Sequence, residues 1–293
     1  MPLTSSRQPR ERARHGDRGP TGIDTVRDHY DTVLGEHYSR LFGDFEAKVA
    51  EQRALLERLG VTAPPAGGLA VDLGCGSGFQ ALALARLGFR VLALDVSERL
   101  LAELRERAGG LPVEAIAGDI RDVARLVPAR IDVAVCMGDT LSHFESQADL
   151  TRLFAGVAPR LVAGGRLVLT FRDLSGERRG LDRVIPLVAS DDLVATCFLE
   201  YEPTTVKVHD LVWSRRPDGW RFEKGVYRKL RLAPQRVVTR LQAAGFVVER
   251  HEAPAGMIAL VGVMARPARG RHRRHRRIAS GRGKAVGGVK TAR

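Results

Sequence analysis

Three glycines alternate with other residues in the segment Asp72-Leu-Gly-Cys-Gly-Ser-Gly78. An apolar run at residues 69–73 precedes these glycines, and a helix-like run at 79–87 follows them, so the segment is predicted to be a strand-to-helix turn. Glycines at such a turn adopt positive φ without a steric penalty and let the backbone approach a ligand closely. In an open α/β sheet this turn is a place where nucleotide-like ligands bind.

Apolar segments of strand length alternate with helical segments around this turn, as in βαβ units. Strands are predicted at residues 69–73, 89–94, 113–117, 131–136 and 166–171. Helices are predicted at 79–87, 97–107 and 150–161, with Ser97 as an N-cap and Ala163-Gly164-Gly165 closing the third. Because the strands are almost entirely apolar, they fit a parallel sheet covered by helices on both faces.

Different patterns flank this alternation. Residues 25–59 have apolar side chains at spacings of three and four, which predicts helices divided at Gly35 and Gly43. Three strand-like runs at 193–201, 205–213 and 220–232 predict an antiparallel meander, inserted at about 185–232. The last predicted elements are a helix at 233–244, ended by Gly245, and strands at 246–251 and 257–265.

These patterns predict four regions along the chain. A disordered leader occupies residues 1–20 and a helical cap 21–66. An α/β domain with the inserted meander occupies 67–265, and a basic, disordered tail follows at 266–293.

Two classes of ligand, a dinucleotide and a cationic nucleoside, are consistent with a glycine loop of this kind. A dinucleotide loop reads G-x-G-x-x-G and binds a pyrophosphate at the helix N-terminus. Here Phe79 replaces the third glycine of that pattern, and the carboxylate of Asp72 would repel a pyrophosphate. An acid at that place suits a ligand that carries an ammonium and a sulfonium. Asp95, which closes the second strand, can accept hydrogen bonds from a ribose diol.

The glycine segment and Asp95 resemble the class I S-adenosylmethionine-dependent methyltransferases, whose first motif is D/E-x-G-x-G-x-G and whose second strand ends in an acid. The resemblance continues through Gly118-Asp119-Ile120, Cys136-Met-Gly-Asp-Thr140 and the segment 162–170. It covers residues 67–174 and 233–265. It implies a Rossmann-like α/β fold with a seven-stranded, mostly parallel sheet, helices on both faces, and S-adenosyl-L-methionine as the cofactor.

The same resemblance implies which residues bind this cofactor. Asp72 and Gly74 would lie near its methionine part, Gly76 and Gly78 near its nucleoside, and Asp95 at its ribose. An acid and an apolar residue after the third strand would flank the adenine. The full predicted set is Asp72, Gly74, Gly76, Gly78, Asp95, Val96, Asp119, Ile120 and Met137.

The methyl acceptor is predicted to be a small molecule. The helical segment before the sheet and the meander after the fifth strand resemble the additions that cover the pocket in small-molecule enzymes, including glycine and sarcosine N-methyltransferases. Neither the Asn/Asp-Pro-Pro-aromatic motif of DNA amine methyltransferases nor the Pro-Cys pair of base C5 methyltransferases follows the fourth strand. The Asp-Asn pair of metal-assisted catechol enzymes does not occur after the fifth strand, so no metal is predicted.

Candidate residues for catalysis and acceptor binding follow from these positions. Asp139 and His143, after the fourth strand, are candidate catalytic residues, because a histidine titrates near neutral pH. Each candidate also fits a packing, capping or ion-pair role. The candidate acceptor contacts come from the leading helices, the end of the fifth strand and the meander: Tyr30, Tyr38, Arg172, Tyr201, His209 and Tyr227.

The net charge of +13 lies at the chain ends. Residues 266–293 hold eleven Lys or Arg and no acid, residues 1–20 carry a net +3, and −1 remains for 21–265. The overall basicity therefore does not predict a nucleic-acid-binding face on the folded part.

The predicted function is methyl transfer to a nitrogen or oxygen of a small molecule in the cytoplasm. One alternative is an RNA or protein methyltransferase that uses the tail to bind nucleic acid or an anionic surface. The other is a non-catalytic protein that binds S-adenosylmethionine. No apolar run approaches the roughly 20 residues of a membrane span, so neither a transmembrane segment nor a secretory signal is predicted. Three widely spaced cysteines predict no disulfide framework.

Overall fold

The computed structural model describes residues 39–127 and 130–265. Within these residues the chain forms a seven-stranded sheet and a second sheet of four antiparallel strands. The strands of the large sheet are β1 (Gly68–Leu73), β2 (Phe89–Asp95), β3 (Val113–Ala117), β4 (Ile131–Cys136), β5 (Leu161–Phe171), β10 (Phe246–Ala253) and β11 (Met257–Met264). The strands of the insertion sheet are β6 (Val184–Ala189), β7 (Leu193–Tyr201), β8 (Thr205–Arg216) and β9 (Gly219–Leu230).

The large sheet has the strand order β10-β11-β5-β4-β1-β2-β3. Strands β1 to β5 pair in parallel, and β11 pairs antiparallel with both β5 and β10. The order reverses between β1 and β4, whose carboxyl ends therefore lie side by side where an open sheet offers a crevice. The predicted seven-stranded, mostly parallel sheet with an antiparallel insertion is confirmed.

Helices cover both faces of this sheet. They are α1 (Phe45–Arg58), α2 (Phe79–Arg86), α3 (Glu98–Ala108), the single turn α4 (Val123–Leu126), α5 (Gln147–Val157) and α6 (Pro234–Ala243). Alternate residues of β4 enter two different apolar clusters, because successive side chains of a strand point to opposite faces. One cluster contains Phe154 and Phe171, and the other contains Phe79 and Phe89.

Three predicted boundaries of α5 and β5 were wrong. Helix α5 begins at Gln147, three residues before the predicted start, because Ser146 and Asp149 form a capping box in front of it. The helix ends at Val157, and β5 begins at Leu161, which pairs with Ile131. The glycines that were predicted to close the helix instead lie inside β5, where the register shifts.

The insertion sheet contains one strand more than the three predicted from sequence. Strand β6 lies at the edge of the sheet, and its pairing with β7 shifts register between Pro186 and Val188. A proline cannot donate to the ladder, so an edge position is where it is tolerated. Residues along β8 and β9 alternate between a buried face, which includes Val208 and Tyr227, and a more exposed face, which includes Trp213.

The helical segment before the sheet is described from Ser39 onward. A short 3₁₀ helix (Ser39–Phe42) is separated from α1 by Gly43, whose φ is +77°, so the predicted division at Gly43 is confirmed. Leu41 packs against the insertion sheet, and Arg40 forms an ion pair with Asp192 there at 2.5 Å. The predicted leader, the division at Gly35, the contacts Tyr30 and Tyr38, and the tail lie outside the described residues.

Candidate functional site

The glycine loop joins β1 to α2 and takes a conformation that requires glycine. Gly74, Gly76 and Gly78 all have positive φ, at +77°, +52° and +103°. A Cβ on Gly74 would lie 2.4 Å from Cγ2 of Thr140, and one on Gly78 would lie 2.3 Å from Cδ1 of Leu104. The predicted positive φ is confirmed. Gly74 and Gly78 also have to lack a side chain, because Thr140 and Leu104 pack against them.

Asp95, at the end of β2, fixes the position of this loop. Its Oδ2 accepts a hydrogen bond of 2.8 Å from the backbone N–H of Gly76, and its Oδ1 accepts one of 2.9 Å from that of Ser97. Asp95 thus joins the loop after β1 to the carboxyl end of β2.

Asp72 is a buried carboxylate directly behind the loop, with 1% of its surface exposed. The backbone N–H of Ala81 donates to it, whereas Oδ2 has no partner among the described residues. Burial raises the pKa of Asp72 to about 8, and the nearby charge of Asp95 adds to the effect. A buried carboxylate with an open oxygen, close to a second carboxylate, fits a ligand that presents an ammonium group.

The other predicted cofactor residues lie at the ends of β2, β3 and β4. Asp119 follows β3 and accepts hydrogen bonds of 2.8 Å from both the backbone N–H and Nε of Arg121, which also forms an ion pair with it. Ile120 and Met137 are buried, and Val96 is partly buried. The fold therefore places all nine predicted residues along the carboxyl ends of β1 to β4.

The segment after β4 forms a tight turn at residues 137–143. Asp139 has a φ of +76°, which is uncommon for a residue other than glycine but is tolerated by Asp and Asn. Its backbone N–H donates to the carbonyl oxygen of Thr170 at 3.2 Å, and its own carbonyl oxygen accepts from Oγ of Ser142 at 2.7 Å. The Oγ1 of Thr140 donates to the carbonyl oxygen of Met137 at 2.8 Å. These bonds tie the turn to β5 and to itself.

The Asp139 carboxylate forms a buried ion pair with a lysine of the insertion sheet. Nζ of Lys229 lies 2.6 Å from its Oδ2, and the side chains are 14% and 3% exposed. The backbone N–H of Arg172 donates to Oδ1 at 3.1 Å, and the Arg172 guanidinium lies 3.6 Å from Oδ2. Burial alone would raise the pKa of Asp139, but Lys229 and Arg172 outweigh it and hold this pKa below its ordinary value.

His143 ends the same turn and lies against the insertion sheet. Its ring centroid is 5.4 Å from that of Tyr227, which is buried and lies on β9 two residues before Lys229. Tyr201, on β7, packs at the edge of the apolar cluster that contains Tyr227, and the guanidinium of Arg231 lies 5.4 Å from its ring centroid. The structure therefore brings five predicted residues to one region: Asp139, His143, Arg172, Tyr201 and Tyr227.

His209 is the predicted acceptor contact that does not reach this region. It pairs with Val226 on the face of the insertion sheet opposite Tyr227, and its Nε2 lies 3.0 Å from Oε2 of Glu200. Sequence reasoning missed Lys229 and Thr140, which the fold brings against Asp139 and Gly74. Nothing in a single sequence marks Lys229, because its partner is 90 residues away. The alternation of β9 could have placed it on the same face as Tyr227.

The comparison with protein families agrees with this geometry. Residues 70–165 match the family described as "Methyltransferase domain". The chain is 31% identical over 141 residues to a cypemycin N-terminal methyltransferase of Streptomyces sp, a match that covers 44% of this chain and 57% of that protein. It is 32% identical over 117 residues to a ubiquinone biosynthesis O-methyltransferase of Xanthomonas axonopodis pv. citri, covering 39% and 47%. Glycine/sarcosine N-methyltransferase of Aphanothece halophytica also matches, at 29% identity over 105 residues, covering 35% and 40%.

The matches to these relatives span about half of their length. Among solved structures, SAM-bound CalS10, an amino pentose methyltransferase from Micromonospora echinaspora, superposes with a TM-score of 0.65 at 20% identity, covering 79% of this chain and 97% of that one. This likeness shows that the two chains share a fold. Among the described residues, none of the helices has the length and apolar character needed to cross a bilayer.

The matched segment, residues 70–165, contains the glycine loop, Asp95, Asp119 and the turn at 137–143. The family match, the strand order and the positions of these residues agree with one another. Residues 70–165 therefore match a methyltransferase domain, and the chain resembles the class I S-adenosylmethionine-dependent methyltransferases in sequence and in fold.

Proposed function

We propose that this protein transfers the methyl group of S-adenosylmethionine to a nitrogen or oxygen atom of a small-molecule acceptor. The observation that carries the proposal is the meeting of His143 and Tyr227 beside the cofactor loop. The turn after β4 supplies the first of these residues, and the insertion sheet supplies the second. The acceptor would lie between these two elements.

Three carboxylates along the sheet edge suit the cofactor. Oδ2 of Asp72 would accept a hydrogen bond from the ammonium in the methionine part of the cofactor. Asp95, at the end of β2 and beside the glycine loop, would accept hydrogen bonds from the ribose hydroxyls. Asp119 and Ile120, at the end of β3, would flank the adenine. This assignment follows the family motif residue by residue. All of these residues lie at the carboxyl-end edge of the sheet.

When bound, the cofactor supplies an activated methyl group, so the protein has to align the acceptor, exclude water and remove a proton where the acceptor needs it. Asp139 is a poor base, because its carboxylate is ion-paired and its pKa is held low. His143 is the better candidate, because an imidazole titrates near neutral pH. We therefore assign the proton-accepting role to His143 and a structural role in the turn to Asp139.

The acceptor pocket would be walled by the buried face of the insertion sheet. Tyr227 and Tyr201 lie on this wall, and such a wall keeps water from the reacting atoms. Arg172, at the end of β5 and with 48% of its side chain exposed, is available to bind an acidic group of the acceptor. The relatives described above include both N- and O-methyltransferases, which supports an acceptor atom of either kind.

Calorimetry tests the cofactor assignment. We expect S-adenosylmethionine to bind with a micromolar Kd, in the range of ordinary enzyme KM values. Asp95→Ala should weaken binding by more than about tenfold, because it removes a charge-assisted acceptor and loosens the loop. Asp218→Ala, in an exposed hairpin turn, is the matched control. No binding by the wild type, or tighter binding of a nicotinamide dinucleotide, would contradict the assignment.

A panel of amines, amino acids, amino sugars and phenols tests methyl transfer itself. With an acceptor that is turned over, His143→Ala should lower kcat by about 10²-fold or more, as expected for loss of a general base. Cofactor retention without transfer to any member of the panel would favour the alternative of a non-catalytic binding protein. Turnover of RNA or protein in preference to the panel would favour the macromolecular alternative.

A further inference from the structure

Lys229 links the insertion sheet to the turn after β4. It lies on β9 opposite Val206, on the same face as Tyr227, and only 14% of its side chain is exposed. Its ammonium is 2.6 Å from Oδ2 of Asp139. A buried lysine requires a compensating charge, and Asp139 provides it.

The turn that Lys229 reaches touches the cofactor loop on one side and the acceptor region on the other. Thr140, the residue after Asp139, packs so closely on Gly74 that a Cβ there would lie 2.4 Å from its Cγ2. His143, three residues further, contacts Tyr227. The position of Asp139 therefore sets the positions of both neighbours.

This turn is held in an unfavourable backbone conformation. Asp139 has a φ of +76°, and because it carries a side chain, this left-handed conformation costs more than it would for glycine. Its carboxylate accepts from the Arg172 backbone at 3.1 Å and from Lys229 at 2.6 Å, so both oxygens are engaged from different elements. Such contacts can keep a strained turn in a single arrangement.

A buried ion pair of this kind adds little net stability, because the cost of desolvating both charges offsets their attraction. Its effect is to define a geometry, since the Lys229 ammonium lies 2.6 Å from Oδ2 of Asp139, closer than the Arg172 guanidinium at 3.6 Å. The ion pair between Lys229 and Asp139 is therefore better explained by the position that it fixes than by the stability that it adds.

We infer that Lys229 is a positioning residue for methyl transfer, which holds Asp139 and thereby the turn at 137–143 against the cofactor loop. The inference rests on the proposed function, because the importance of this turn depends on the cofactor that it faces. Lys229 acts through Asp139 and is not itself assigned to the reacting atoms.

Four variants and a matched control test this inference, with S-adenosylhomocysteine as the calorimetric probe. Lys229→Met should weaken its binding about tenfold, a coupling of ordinary size, and should increase amide hydrogen exchange at residues 138–143. Lys229→Arg should recover most of the affinity, since it keeps the charge, and Asp139→Asn should weaken binding like Lys229→Met.

Lys224→Met, on the exposed face of the same strand, should match the wild type. The double variant Asp139→Asn/Lys229→Met should be more stable than Lys229→Met alone, because Lys229→Met leaves the buried Asp139 charge with only the more distant guanidinium of Arg172.

A purely structural role predicts a different result. Lys229→Met would then lower the melting temperature while leaving probe affinity and hydrogen exchange at 138–143 unchanged, and this result would overturn the inference. A loss of affinity in Lys229→Met that Lys229→Arg does not recover would overturn it as well. If the wild type does not bind the probe at all, the proposed function fails. Unchanged exchange at 138–143 in the ligand-free Lys229→Met protein would separately overturn the positioning role.

Discussion

Asp72 and Asp139 are both buried carboxylates, yet their surroundings move their pKa values in opposite directions. Asp72 is surrounded by apolar residues and faces a second carboxylate, so its pKa rises to about 8. Asp139 is equally buried, but the Lys229 ammonium and Arg172 hold its pKa low. Among the described residues, no cation contributes to the pKa shift of Asp72, whereas the charge of Asp139 is already compensated within the fold.

The raised pKa of Asp72 predicts a pH-dependent loss of stability. In the unfolded chain its pKa is about 3.9, and in the folded protein it is about 8. The folded state therefore binds more protons between these values, so stability falls as pH rises through this window. Asp72→Asn removes this dependence. The free energy of unfolding of Asp72→Asn, relative to that of the wild type, should therefore rise by several kcal/mol from pH 5 to pH 8.5, since one pKa unit corresponds to about 1.4 kcal/mol.

Urea denaturation at several pH values measures this difference. Asp218→Asn, in an exposed turn, should follow the pH dependence of the wild type and serves as the control. Parallel stability curves for the wild type and Asp72→Asn would show that Asp72 ionises normally in the folded protein.

The contact between Gly74 and Thr140 predicts a coupled pair of substitutions. Gly74→Ala should destabilise the protein by about 2–4 kcal/mol, because it adds a strained positive φ and a steric clash. Thr140→Ala removes the Cγ2 atom that the new Cβ would meet at 2.4 Å. In that background Gly74→Ala should cost about 1–2 kcal/mol less, a coupling that a double-mutant cycle by thermal or urea unfolding measures. Equal costs in both backgrounds would mean that the clash does not contribute.

Among the elements, those with a strong local signal were predicted well and those set by tertiary pairing were not. Strands β3 and β4 and the N-cap of α3 agree with the sequence prediction, because apolar periodicity and Ser97 define them locally. The start of β5 was wrong because Leu161 becomes a strand residue through its pairing with Ile131. Strand β6 was missed because Pro186 interrupts the pattern and only the adjacent strand stabilises it.

The same distinction applies to the candidate site. The predicted cofactor residues follow an ordered motif at strand ends, so the sequence was sufficient to predict that they gather along one edge of the sheet. Lys229 could not be predicted, because its meeting with Asp139 depends on how the insertion sheet packs on the turn after β4. Conversely, His209 shares a strand with Val208, but the alternation of β8 turns it to the opposite face.

The capping box in front of α5 predicts an effect that belongs to the helix as a whole. Oγ of Ser146 accepts from the backbone N–H of Asp149, and Oδ2 of Asp149 accepts from the backbone N–H of Ser146. Ser146→Ala should therefore cost about 1 kcal/mol, seen as a lower melting temperature. Thr151→Ala, on the exposed side of the same helix, should have little effect or be slightly stabilising, because alanine favours helix formation. Equal melting temperatures for Ser146→Ala and the wild type would contradict the role of the cap.

In the whole molecule, two sheets meet at one region, and each contributes residues to it. The parallel sheet supplies the cofactor loop and the turn after β4, and the insertion sheet supplies Tyr227 and Lys229. The segment before the sheet also reaches this second sheet, through Leu41 and Arg40. The proposed acceptor region thus draws on parts of the chain that are distant in sequence, while residues 21–265 together carry a net charge of only −1.

This charge distribution leads to a prediction for the basic segment 266–293. If the acceptor is a small molecule, a chain ending at Ala265 should bind S-adenosylmethionine and turn over the acceptor as the full chain does. The result should hold at low and at high salt, because all the residues assigned to the proposed site come before Ala265 in the sequence. The turnover of both chains is measured in about 50 mM and about 300 mM salt, because the higher concentration screens exposed charges more strongly. A macromolecular acceptor anchored by this segment predicts the opposite: the shortened chain would lose turnover chiefly at low salt, because contacts between Arg or Lys and phosphate groups weaken steeply as salt rises.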